Sequence, residues 1–249
     1  MSNNKPQLVN DEIYHIVSRA VGDDIIFKNR DDYYRGIFSI YEFNNINPVT
    51  IREKRVERTK FKKSSRGPTS GESGENEGNG FLDKREKMVD ILAFCFMPNH
   101  IHLLLRQLKD NGISQFMKKI GTGYAVYFNK KYNRKGHLFN KFKAIPIRDN
   151  DQLKNVFVYI HTNPISLVDS GWRNFDIKDS KKAIGFLEDY KWSSYQDYLG
   201  NKNFSSITTR DFLLEIIGSV NGCKKEVDSW IEYKERPDTA DNFNSIILE

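Results

Sequence analysis

Cysteine is nearly missing from this chain: Cys95 and Cys223 are the only two among 249 residues, and they lie far apart. Such a pair builds no disulfide framework and suits a reducing compartment. Long apolar runs are missing too. With no stretch of 18 apolar residues and no secretory pattern, the expectation is a protein that neither spans a membrane nor leaves the cell. No heptad specifies a partner helix. Charge of one sign is present only in modest excess. The formal balance is +6 and the pI about 9.1, which is compatible with a polyanionic partner without demanding one. The length allows one principal domain with a smaller appendage.

What the chain does have is His100-Ile101-His102, inside the run from Phe94 to Leu105. The surrounding residues read as strand, and successive strand side chains point to opposite faces. His100 and His102 therefore share a face, about 6–7 Å apart along the strand, while Ile101, Leu103 and Leu105 fill the other. Alone, the pattern fits two half-exposed histidines as well as it fits a chelating pair. A second cluster is Tyr159-Ile160-His161-Thr162-Asn163-Pro164. Leu153, Val156, Phe157 and Ile160 have helical spacing, Asn150 or Asp151 can cap the start, and Pro164 argues against continuation. Tyr159 and Asn163 are then one turn apart on one side, about 6 Å along the axis. Taken alone, this motif is better read as a rim tyrosine and a helix cap than as a nucleophile beside a ligand.

The element order reads βαββαβ. A first strand covers Glu12 to Arg19. A helix runs from Asp31 to about Asn44, with Tyr34, Ile37, Phe38 and Tyr41 as its apolar stripe. Two strands from Val89 to Met97 and from His100 to Gln107 are joined by Pro98-Asn99. A helix from Ser114 to Lys131 and a strand from Leu138 to Ile147 follow. The fold class is α+β, a ferredoxin-like antiparallel sheet with two helices on one face, the other face open to His100 and His102, and an added helix that delivers Tyr159. Residues 1–168 form the expected principal domain, interrupted at about 50–87 by an insertion. In it Ile51 to Arg66 is basic, and Ser64 to Gly80 has the composition of a disordered loop. The basic part suits an arm on phosphate or a solvated linker. Residues 169–237 are expected to be a helical appendage, with helices at Thr209 to Ile217 and Lys224 to Lys234, and 238–249 a loose tail. A further basic segment interleaves Lys130, Lys131, Arg134, Lys135, Lys141, Lys143 and Arg148 with Tyr127, Tyr132, Phe139 and Phe142. Cations neutralise phosphate and aromatic rings stack on unpaired bases, which is the composition of a single-strand groove. Lys141 and Lys143 share a strand face by spacing. His15 reads as a structural histidine, His137 as a candidate nucleic-acid contact, and His161 points about 200° away from Tyr159 around its helix.

Met97 to His102, the segment Tyr127 to Phe139, Tyr159 to Pro164 and the aromatic stretch Trp192 to Gly200 together resemble, in that order, one family. It is the single-tyrosine HUH transposases (insertion-sequence-200-like), most closely their REP-associated branch, over roughly residues 10–200. The resemblance implies a metal-dependent nickase and strand-transferase acting on single-stranded, hairpin-forming DNA in the cytoplasm, associated with the nucleoid. It implies Tyr159 as nucleophile, with a 5′-phosphotyrosine link and a free 3′-hydroxyl. His100, His102 and Asn163 would hold one Mg²⁺ or Mn²⁺. Monomer and homodimer both stay open, because the family includes dimers that share active sites and monomers that do not. Two other readings stand beside it: a non-catalytic single-strand nucleic-acid-binding module, and a metal-dependent phosphodiesterase that uses water and leaves Tyr159 dispensable.

Overall fold

The computed structural model describes residues 7–64, 83, 85–174 and 176–235. Strand β1 (Ile13–Arg19) leads to helix α1 (Arg30–Glu42) and helix α2 (Ile51–Ser64). Strands β2 (Val89–Met97) and β3 (His100–Gln107) form a hairpin, followed by α3 (Gly112–Lys131), β4 (Lys143–Ile147) and α4 (Asn150–Thr162). The helices α5 (Ser180–Asp189), α6 (Tyr195–Tyr198), α7 (Asp211–Ile217) and α8 (Ser219–Lys234) complete the described chain. The four strands are all antiparallel in the order β2-β3-β1-β4. This is the ferredoxin-like arrangement expected from the βαββαβ order.

Alternation along the strands divides the interior into two cores. Tyr14, Ile16, Phe94, Phe96, Ile101, Leu103 and Leu105 pack with α1 and α3. Cys95, Met97 and Leu104 pack on the opposite face with α4 and residues of α5 to α8. The second face is therefore not open, contrary to the sequence-based expectation. Helices α5 to α8 bring apolar stripes that need burial, and the exposed half of the sheet supplies the surface. His15 and His102 are 0% exposed and His100 4%.

Several element limits also differ. Asn29, not Asp31, caps α1 through the backbone N–H groups of Asp31 and Asp32. Its buried stripe is Gly36, Ile37, Ile40 and then Phe43, while Tyr34 is exposed. The basic stretch 51–64 is helical, as its many good helix formers favour; the Gly/Ser-rich continuation to Gly80 and the tail from 238 lie outside the described residues. The fourth strand begins only at Lys143, because Leu138 to Phe142 meets the sheet through one isolated bridge, Ala20 to Phe139. On the far side of the sheet, Trp192 to Ser194 runs along β2, with Phe96 N–H donating to Trp192 O (2.9 Å) and Ser194 N–H to Phe94 O (3.0 Å). This covers the β2 edge and leaves β4 as the sheet edge without a neighbouring strand among the described residues.

Candidate active site

Helix α4 carries the tyrosine to the histidines. Asp149 caps it by accepting from Gln152 N–H at 2.7 Å, and Gln152 Oε1 accepts from Arg148 N–H at 2.8 Å. This near-reciprocal cap fixes where the helix starts and hence its rotation over the sheet. The actual cap lies one residue before the expected Asn150 and two before Asp151. Leu153, Val156, Phe157 and Ile160 are buried, and Tyr159 is half-buried beside them. Its ring stands edge-on to His102, with centroids 5.5 Å apart, and to His15 at 5.8 Å. Trp172 flanks it at 5.9 Å. Beyond Thr162 the chain tightens into a 3-10 turn, Asn163–Leu167, with Pro164 in its first positions.

His100 and His102 are in T-shaped contact with ring centroids 4.8 Å apart. The shared face that alternation predicts is thus present, but it is buried. His102 Nδ1 lies 3.0 Å from His15 Nε2, and His100 Nδ1 lies 2.6 Å from Asn99 Oδ1. In each ligand candidate the Nδ1 is taken by a neighbour, so Nε2 is the nitrogen that can bind a metal. Asn163 is 1% exposed, and neither its carbonyl oxygen nor its amide nitrogen has a hydrogen-bond partner. A buried amide without partners is costly unless something else engages it. Two imidazoles and an amide oxygen of this kind suit a divalent cation of the Mn²⁺ or Mg²⁺ class. Among the described residues no group of three His, Cys, Asp or Glu side chains is placed to hold a metal.

His15, read from the sequence as a structural histidine, is buried and lies against both His102 and Tyr159. No local pattern signals this contact, because it depends on the strand register that sets Val17 opposite His102. Burial lowers the His15 pKa to about 4, so it is neutral at neutral pH. Burial likewise lowers His161 to about 3, against the opposing effect of the Phe157 carbonyl. His161 Nε2 lies 2.8 Å from Ser194 Oγ, on the core side of α4.

The basic segment does not act as one unit. Lys130, Lys135, Lys141, Lys143 and Arg148 are exposed. Lys131 instead pairs with the buried Asp32 carboxylate at 2.7 Å and donates to the Tyr127 hydroxyl. Arg134 donates to the His137 carbonyl at 2.9 Å and faces Asp24 at 3.4 Å. A groove of about 630 Å³ runs between α3 and residues 136–142, with Lys118, Asn129, His137, Phe139, Lys141 and Phe142 among its lining. Lys118 escaped the sequence reading because it lies on an earlier turn of α3. Lys141 and Lys143 do not share a face. Lys143 stands opposite Val17, as His102 does, so it is on the histidine face. Lys141 precedes the strand and lines the groove on the α3 side.

Residues 83–163 match the family model described as Transposase IS200 like. The match takes in β2, β3, α3, β4 and α4, with both paired histidines, Tyr159 and Asn163. A solved structure described as the REP associates tyrosine transposase bound to a REP hairpin is similar at 12% identity, over 85% of this chain and 93% of that one, with a TM-score of 0.47. No curated protein matches the chain. The segment that builds the histidine–tyrosine site, residues 83–163, is thus similar to the IS200-like transposases.

Proposed function

We propose that this protein is a transposase and nickase of single-stranded, hairpin-forming DNA that works through Tyr159. The observation that carries the reading is the tyrosine ring set edge-on against His102 at 5.5 Å, on the helix that also ends in the buried Asn163. The Tyr159 oxygen forms a bond to phosphorus as the phosphorus–O3′ bond breaks, giving a 5′-phosphotyrosine and a free 3′-hydroxyl. Attack by a 3′-hydroxyl reverses the step and rejoins the strand, so the bond energy is conserved. Tyrosine ordinarily ionises at about 10, and it must lose its proton as the bond forms. A divalent cation held by His100, His102 and Asn163 would polarise a non-bridging phosphate oxygen and offset developing charge. Trp172, His15 and His102 pack against the Tyr159 ring, limiting the positions it can adopt.

The placement of the cations suggests how DNA reaches the site. The groove beside α3 and the histidine face lie on opposite sides of β4, and β4 is the sheet edge. A strand lying in the groove against Lys118 and Lys141 passes over this edge and meets Lys143 on the side of the histidines. Phe139 and Phe142 offer faces for unpaired bases in the groove.

The test is incubation with single-stranded hairpin DNA and Mn²⁺, followed by a denaturing gel. The unmodified protein should give a covalent adduct that maps to Tyr159, and Tyr159→Phe should give none while binding DNA with nearly unchanged affinity. Cleavage that persists in Tyr159→Phe would mean hydrolysis by water, and the proposal would fail.

A further inference from the structure

The His15–His102 pair has a geometry that the cleavage reaction as described does not use. Their near ring nitrogens are 3.0 Å apart, the ring centroids 5.2 Å apart and the planes inclined by only 18°. Two small rings whose nitrogens meet at hydrogen-bond distance, with centroids this far apart and planes nearly parallel, lie edge to edge and not face to face. The contact is thus a directed, in-plane hydrogen bond, on a residue that is 0% exposed. It spans neighbouring strands: His15 stands opposite Leu104, and Val17 opposite His102.

We infer that His15 is a positioning residue for metal binding, which holds the His102 ring through Nδ1 and so assigns Nε2 as its ligand nitrogen. The inference rests on the metal-site reading above. When His102 Nε2 binds a cation, its one ring proton must sit on Nδ1. That N–H then donates to His15 Nε2, which lies 3.0 Å away and accepts it. The bond fixes both the tautomer and the rotation of His102, as outer partners of metal-bound histidines generally do. His15 acts through its contacts with the His102 and Tyr159 rings. Its edge contact with Tyr159 lets the same ring limit the position of the nucleophile.

The experiment compares the full chain with His15→Phe, which keeps a ring of similar bulk without an acceptor, and His15→Gln, whose side-chain oxygen can accept. Mn²⁺ affinity is measured by calorimetry without DNA. The His102–His15 ring N–H is sought in proton–nitrogen spectra of ¹⁵N-histidine-labelled, metal-free protein. The unmodified chain should show a ring N–H protected from solvent exchange. His15→Phe should lack it and bind Mn²⁺ about 10- to 100-fold more weakly, the usual size of a lost outer partner. His15→Gln should recover most of the affinity. Unchanged affinity in a folded His15→Phe overturns the inference. So does a loss in His15→Gln as large as that in His15→Phe, because ring packing and not the acceptor would then matter. If His15→Phe does not fold, His15→Gln alone decides: affinity within a few-fold of the unmodified chain supports the inference, and a tenfold loss or more overturns it. If the unmodified chain itself binds no Mn²⁺, the metal-site reading has failed and the ring N–H alone reports on the pairing. A protected signal that His15→Phe abolishes supports the pairing, and its absence from the unmodified chain overturns it.

Discussion

His102 is the residue on which fold and chemistry meet. It is fully buried, so removing it has a structural cost that an exposed metal ligand would not have. His102→Ala should abolish cleavage and also lower stability. The loss should be about 1–3 kcal/mol, because His15 Nε2 is left buried without its partner; urea denaturation monitored by circular dichroism measures it. Asn163→Ala separates the two effects. Neither polar atom of Asn163 has a hydrogen-bond partner, so its removal leaves no protein group unsatisfied. Stability should change little while Mn²⁺-dependent adduct formation falls. A large loss of stability in Asn163→Ala would show that the amide serves the fold.

At the scale of elements, two contacts set where the functional pieces sit. The cap Asp149 determines where α4 begins, and Asp149→Ala should cost about 1 kcal/mol and reduce cleavage more than DNA binding, since Tyr159 rides on that helix. Helices α1 and α3 are joined by Asp32, which is 0% exposed and accepts from Lys131, Tyr132 and Tyr127 side chains and from Lys28 N–H. Burial raises the Asp32 pKa, but these donors outweigh it and hold the carboxyl below its ordinary value. A depressed folded pKa stabilises above the unfolded value, about 3.9, and this stability is lost as the pH falls through the folded one. Acid unfolding should therefore contain a component below about pH 4 that Asp32→Asn removes, visible in melting temperatures recorded across that range. The cations near β4 can be separated as well. Lys141→Ala and Lys143→Ala should each reduce the slope of log affinity against log salt by about 0.7, the single-strand value per phosphate contact. Lys143→Ala alone should also slow cleavage at saturating DNA, because it stands on the histidine face. Equal effects of the two changes on the rate of cleavage would contradict the proposed path over the β4 edge.

For the whole molecule, the C-terminal helices and the sheet share one core. Leu213, Cys223, Val227 and Ile231 are buried in the same cluster as Leu104, Phe157 and Ile160. A chain cut after residue 168 would expose the lower face of the sheet and of α4 to water. It should fail to give a cooperatively folded protein, as judged by thermal unfolding and by the dispersion of its proton spectrum. A well-folded 1–168 fragment that retains adduct formation would show that the helices are dispensable. Excess EDTA tests the metal requirement on the intact protein: adduct formation should stop, and added Mn²⁺ should restore it.

The local pattern of residues was sufficient for much of this protein. Alternation placed His100 and His102 on one face, helical spacing identified the helix that sets Tyr159 against His102, and the βαββαβ order specified the sheet. These are short-range properties, set by a strand period of two and a helix period near 3.6 residues. Three features needed the tertiary structure. The burial of the histidine face depends on α5 to α8 docking from far along the chain, and no local pattern states which apolar stripe covers which sheet. The pairing of His15 with His102 depends on strand register, across 87 positions of sequence. The division of Lys141 from Lys143 depends on where β4 begins, which is decided by pairing with β1 and not by spacing, so a short-range period cannot reveal it.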